Sequence, residues 1–274
     1  MSSSAFVPRT VASTRAPLVA LGLLTLLLVG AALAPWLAPY AMDGLDLANR
    51  RAAPSVEHWF GTDELGRDLL TRVLFGARVS LAIGLISALV SAAIGAAVGA
   101  IAGSAGRLVD DLLMRITDAM LAVPRLPLLM ITAAVLQPSV PTLVLLVGLV
   151  GWMETARVVR AEVLSLAARD FVAAARAMGA TPTRVILRHI LPGVLPATAV
   201  ATTLAVGRGI LLESALSFFG VGVQPPTASW GNMLYQAQST MSSEPWLAIF
   251  PGAMIFLTVL ACNAVGDAIG SAQS

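Results

Sequence analysis

Residues 157–189 read RVVRAEVLSLAARDFVAAARAMGATPTRVILRH, a basic, helix-forming interruption between two strongly apolar stretches. Six of its residues are Arg, against only Glu162 and Asp170 as acids. A basic insert between two membrane spans is expected on the cytoplasmic side. Within it, 167–178 is rich in Ala and free of Pro and Gly, which predicts a helix. Gly179 stands where a left-handed residue would end that helix, and Thr181-Pro182 reads as the N-cap and first-turn pair of a second one. Such a helix, tight turn, helix unit suits docking on a partner; on the physics of these residues alone, a plain connecting hairpin serves equally well.

The surrounding composition says what kind of protein carries this insert. Hydrophobic residues make up 57% and charged residues 12% of the 274, with a mean hydropathy of +0.85. Soluble domains hold roughly 45–50% apolar and about 25% charged residues, so the chain is read as an integral membrane protein with too little polar sequence for an independent catalytic domain. All 17 basic residues are Arg. Without Lys there is no phosphate-binding loop of the G-x-x-x-x-G-K-[ST] form and no Schiff-base chemistry. The single Cys262 falls in the last apolar run and reads as a buried small side chain. His58 and His189 are expected on opposite sides of the membrane, so no metal site is expected. The net charge of +2 is summed over two compartments and decides little.

A membrane-spanning helix needs about 20 apolar residues, and six segments qualify: 16–37, 79–103, 116–137, 141–160, 192–217 and 246–265. The expected fold is all-α, with six transmembrane helices. Arg9 and Arg15 precede the first span, which places the N-terminus, and after six crossings the C-terminus, on the cytoplasmic side. The expected organisation is a cytoplasmic tail over 1–15, a first helix and external segment over 16–75, and a five-helix core over 76–274 with its cytoplasmic loop at 157–190. The first span could instead be a cleaved signal, since Ala32-Leu33-Ala34 has the small-residue pattern; the long apolar run and Pro35 directly after the cut count against it. Arg107 and Arg115 fit the expected orientation. Arg50, Arg51, Arg67, Arg72 and Arg78 in the first external segment run against it, though acids are interleaved with them.

Within the spans, Gly84, Gly95, Gly99 and Gly103 with several Ser and Ala predict close packing of the second helix against others. Intramembrane charges are expensive and face a bundle interior, an aqueous cavity or the interface. Arg125, between Pro124 and Pro127, and Arg208 and Glu213 in the fifth span are therefore candidates for a pathway or gate. Arg208 and Glu213 are five positions apart, about 140° around a helix, so each is expected to find its partner elsewhere. Outside the spans, Thr62 is expected to cap a helix whose first turn holds Asp63 and Glu64.

Three stretches carry a family resemblance. Asp170-Phe171-Val172-Ala173-Ala174-Ala175-Arg176-Ala177-Met178-Gly179, with Leu191-Pro192 beyond, resembles the EAA loop of bacterial ABC importer permeases: E-A-A, three residues, G, nine residues, I-x-L-P. Ala174, Ala175, Gly179, Leu191 and Pro192 match, while Ala173 replaces the usual Glu and His189 the usual Ile. The segment from His58 to Asp68, with Gly61, Thr62, Asp63, Gly66, Arg67 and Asp68, is similar to the pre-span signature of dipeptide, oligopeptide and nickel permeases. The stretch from Leu212 through Pro225-Pro226 to Ser229-Trp230-Gly231 resembles the segment after their fifth span.

The resemblance implies a C-type permease subunit of a binding-protein-dependent importer for di- or oligopeptides, with the type I ABC importer fold and a cytoplasmic coupling helix. Asp170, Ala173, Ala174, Ala175, Arg176, Gly179, Pro182 and Pro192 would then couple to ATPases. It also implies a second homologous permease, two ABC ATPase subunits that bind ATP and Mg, an extracytoplasmic solute-binding protein, and a bacterial inner-membrane location among lipid. No cofactor on this chain and no nucleic acid are expected. A nickel or metal-chelate permease remains open. From other classes, an ion-coupled secondary transporter would need intramembrane acid or His relays and often repeated halves, and a membrane enzyme a nucleophile and base; none is evident.

Overall fold

The computed structural model describes residues 15–137 and 139–271. Arg9 and most of the expected tail lie outside the described residues. In chain order the helices are α1 (Arg15–Ala32), α2 (Ala34–Leu37), α3 (Leu69–Ser104), α4 (Arg107–Ala122), α5 (Arg125–Leu136), α6 (Val140–Ala167), α7 (Asp170–Ala177), α8 (Pro182–Val185), α9 (Leu191–Phe218), α10 (Trp230–Ala237) and α11 (Trp246–Ser271). A π-helical turn, Ile186–Ile190, joins α8 to α9 without a break. No strand occurs among the described residues.

α3 and α6 form the central pair and lie parallel. Small residues set their spacing: a Cβ on Gly95 would come within 2.6 Å of the Trp152 carbonyl oxygen, one on Gly99 within 2.8 Å of Val159 Cβ, and one on Gly103 within 2.7 Å of Val163 Cγ1. In the other direction Gly148 is backed by Val90 and Gly151 by Ser91. Between helices already in lipid there is little hydrophobic gain from contact, so this close backbone approach and its dispersion energy hold the pair. α9 runs antiparallel to both neighbours, matching Ile210 to Gly84 on α3 and Val259 and Leu204 to Gly207 and Gly266 across the α9–α11 seam. α1 packs Leu27 and Ala31 against Ala77, Leu81 and Ile255.

Because α3 and α6 run the same way, residues 105–139 must cross back over the thickness of the bundle. They do so as a broken pair: α4 and α5 meet at an 82° bend. Val123 and Pro124 are extended there, and Pro124 disfavours helical backbone in the residue before it. α4 is held by its acids, Asp110 to Arg160 and Asp118 to Arg157 on α6.

Several expected boundaries need correction. Among the described residues four helices are long and apolar enough to cross a membrane, five if the bent α4–α5 pair counts as one; the apolar part of α1, Pro17–Ala32, is shorter. α3 starts at Leu69, ten residues ahead of the expected 79, because Asp68 accepts from the Thr71 amide at 2.8 Å and so caps it. Thr62 caps nothing: it lies in a bridge opposite Asp68 and hydrogen-bonds Ala52 N and Asn49 O. The interruption is shorter than 157–190, since no helix breaker lies between Arg157 and Ala167 and α6 continues to that point. The helix expected over 167–178 begins instead at Asp170.

Candidate functional site

Three arrangements hold the predicted site residues. The first is the turn between α6 and α9. Here Gly179 has φ +85°, a backbone that costs an L side chain about 1–2 kcal/mol. Its amide donates to Arg176 O at 2.9 Å, and that of Ala180 donates to Ala175 O at 3.1 Å. This is the paired closure of a Schellman C-terminus. Thr181 then caps α8 by accepting from the Arg184 amide at 3.3 Å, with Pro182 in the first turn. Val172 and Ala175 turn inward, Val172 joining Val159, Val163, Leu166, Val185 and Val194 in one apolar cluster. Asp170, Ala173, Ala174, Arg176, Gly179, Pro182 and Pro192 are left exposed. Phe171 and, at the C-cap, Met178 are exposed too, so the outward surface of this turn mixes small and apolar groups with the charges of Asp170 and Arg176.

The second arrangement lies near the middle of the spans. Glu154 on α6 receives Arg125 Nη2 at 2.7 Å on one carboxylate oxygen and Arg208 Nη1 on the other. The sequence gives each Arg as a separate candidate; the fold brings both to one acid. The three side chains are 25%, 34% and 44% exposed in the order Arg125, Glu154, Arg208. They border a cleft with Ser87, Ser91, Gly151 and Gly209. Glu213 is elsewhere. It is wholly buried, and its carboxylate accepts from Ser80 Oγ at 3.0 Å, Ser217 Oγ at 2.8 Å and Ser214 Oγ at 3.4 Å. Ser80 Oγ in turn accepts from Trp230 N, and Ser217 Oγ from Val223 N. Glu213 thus ties α3, α9 and the start of α10 together, and it does not line the cleft. Glu154 is the residue that reading the sequence missed. Its signal was an acid in an otherwise apolar run, obscured by lying three residues before the basic stretch.

The third arrangement is the opposite rim, where the two remaining signatures meet. Asp63 organises the first one, accepting from the amides of Leu65 and Arg67 and from Arg67 Nε at 2.6 Å, with Arg72 Nε at 3.5 Å. Gly61 and Gly66 both have positive φ; any side chain at Gly66 would collide with the Asp46 carbonyl. The Asn49 amide donating to Asp46 holds that carboxyl below its usual range. His58 Nδ1 lies 3.0 Å from Asp68. The second signature closes over this base. Ser229 and Asn232 form a capping box on α10, and Asn232 Nδ2 also donates to the Val223 and Thr227 carbonyls. The Pro225-Pro226 bond is cis. Trp230 is fully buried and its indole donates to Val73 O at 3.1 Å. Gly231 lies against Ser214 and Ser217. Among the described residues no three His, Cys, Asp or Glu side chains are grouped to hold a metal ion.

A bundle of long apolar helices with a charged cluster partway along them and an exposed helix–turn–helix unit is the architecture of a multi-pass membrane protein. Residues 95–273 match the family model described as binding-protein-dependent transport system inner membrane component, and residues 13–54 match the N-terminal transmembrane domain of oligopeptide transport permease C. The chain belongs to the first of these families, and is an inner-membrane ABC import permease. A protein of Brucella suis biovar 1 (strain 1330) named as a peptide permease is 41% identical over 260 residues, covering 94% of this chain and 86% of its own. The Glutathione transport system permease protein GsiD of Shigella flexneri serotype 5b is 43% identical over 248 residues (90% and 82%), and that of Escherichia coli O6:K15:H31 is 42% identical over the same length.

Proposed function

We propose that this permease carries di- or oligopeptides across the cytoplasmic membrane by alternating access, driven by ATPases that it does not itself contain. The observation that carries the coupling is the exposed α7 surface ending at Gly179, braced from behind by the Val159–Val194 cluster. An ATPase gripping α7 would move α6 and α9 with it, because both contribute to that cluster, and the spans would rock as rigid bodies. In this reading the chain crosses six times, α1 and the α4–α5 pair included, with both termini and α7 in the cytoplasm and the Asp63–Trp230 rim outside. Its partners are a second homologous permease, two ABC ATPase subunits holding ATP and Mg, and a solute-binding protein meeting the rim. Arg125 and Arg208, held by Glu154, line the pathway, and Glu213 positions the helices around it. The chain needs no cofactor of its own. Peptide as the substrate is supported by the names of the relatives, which are peptide and glutathione permeases.

The test is mass spectrometry of everything that co-purifies with the tagged chain from native membranes in mild detergent. A second permease, ATPase subunits and a solute-binding protein loaded with peptide would be the expected recovery. A binding protein loaded with a metal chelate would move the substrate to that class. A chain that purifies alone and moves solute in vesicles without ATP would overturn the reading in favour of a self-sufficient carrier.

A further inference from the structure

The Arg125–Glu154–Arg208 cluster has more charge than it neutralises. Glu154 lies midway along α6 and Arg208 well inside α9, at a depth where a lipid-facing charge is strongly disfavoured. Yet the side chain of Arg208 is 44% exposed and that of Glu154 34%. This face therefore borders water or protein, not acyl chains. Two guanidinium groups share one carboxylate, whose two oxygens are each already taken, so one positive charge is left over. The neighbours offer nothing to absorb it. Ser87 and Ser91 donate their hydroxyls to backbone carbonyls, and Gly151, Gly209, Ala88 and Ala205 leave space without polarity. Among the described residues the Arg208 side chain has no hydrogen bond besides the one from Nη1 to Glu154. Its remaining N–H groups form a planar fork of the shape that a carboxylate fits with two parallel bonds.

We propose that Arg208 receives a carboxylate from the passing substrate, so that the permease itself favours peptides with a free C-terminal acid; this rests on the peptide reading above. Glu154, shared between Arg125 and Arg208, limits the excess to one charge. The same chemistry could be supplied by an Asp or Glu of the second permease, and the experiment separates the two sources.

The complete transporter is reconstituted in proteoliposomes and given binding protein preloaded with radiolabelled trialanine or with trialanine C-terminal amide, uptake being normalised to binding-protein occupancy. The wild type should favour the acid by about threefold to tenfold, the range for one partly solvated charge pair. Arg208→Gln should bring the ratio near one, Arg208→Lys should retain part of the preference, and Glu154→Gln should widen it. A wild type without preference overturns the proposal. So does Arg208→Gln that slows both peptides alike at an unchanged ratio, which would assign Arg208 to an acid of the second permease. If Arg208→Gln does not co-purify with its partners, Glu154→Gln decides, and a ratio that fails to widen is fatal. Uptake of neither peptide by an assembled wild type overturns the peptide reading itself.

Discussion

Gly99→Ala should measurably loosen the central α3–α6 pair, whereas Gly22→Ala on α1 should not. A Cβ at Gly99 would lie 2.8 Å from Val159 Cβ and 2.9 Å from its Cγ1, and closer still to the Ala156 carbonyl oxygen. Carbon atoms rest at about 3.5–4.0 Å, so the helices must part by about 0.7–1 Å. Backbone atoms on one side cannot rotate away. The gap extends over the turn on either side, because Gly95 and Gly103 are in equally close contact. Taking roughly 30 atom pairs over that length at ~0.15 kcal/mol each, and a loss of a quarter to a half of the well, the cost is about 1–2 kcal/mol. That agrees with the usual ~1–3 kcal/mol for overpacking. A Cβ at Gly22 meets nothing within 4 Å. The assay is the apparent melting midpoint of the purified complex in detergent at one fixed scan rate, since membrane complexes unfold irreversibly. Equal midpoints for the two variants would refute the claim that close contact holds this pair.

Gly179→Val should insert and assemble normally, because a Cβ there meets nothing within 4 Å, while the φ of +85° makes the turn unfavourable. Uptake per ATP hydrolysed in proteoliposomes should fall, and unchanged uptake would remove α7 as the docking element. Trp230→Phe keeps the buried ring but removes the indole bond to Val73 O, which retains its partner within α3, at a cost of about 0.5–1.5 kcal/mol; a wild-type melting midpoint would show the indole bond to be idle. Asp110→Asn should raise hydrogen exchange in α4 more than Asp118→Asn does, because Asp110 receives two nitrogens of Arg160 whereas the Arg157–Asp118 pair is over half exposed. The reverse order would mean that α4 is held by something other than its acids.

What the sequence made legible were features whose chemistry is local. Gly179 and Thr181-Pro182 act within four residues of themselves, and their roles in the turn are the ones the motif predicts. The small-residue face of α3 was equally readable, since its spacing depends only on helix geometry. Boundaries failed where two local signals competed. Thr62-Asp63-Glu64 reads like a helix start, but the backbone at Gly66 turns left-handed and the cap falls to Asp68. Arg72 reads as part of the external segment ahead of the helix; it lies in the first turn of α3, buried with its Nε 3.5 Å from Asp63. Pairing across 29 and 54 residues brings Arg125 and Arg208 to Glu154, and no periodicity encodes that. The resemblance pointed to the rim signatures without saying that they fold onto each other; Trp230 reaching Val73 is a property of the packed helices alone.

The unbroken length of α3 has a mechanical consequence. Its 36 residues extend about 54 Å, well beyond the ~30 Å hydrocarbon core, and the helix contains no Pro to kink it. At one end Val73 and Ser80 hold Trp230 of the rim; at the other, Gly103 abuts Val163 and, with Ser104, walls a cleft shared with Arg176, Ala180 and Pro182. A load applied at the rim therefore reaches the α7 turn along one stiff strut with no joint to absorb it.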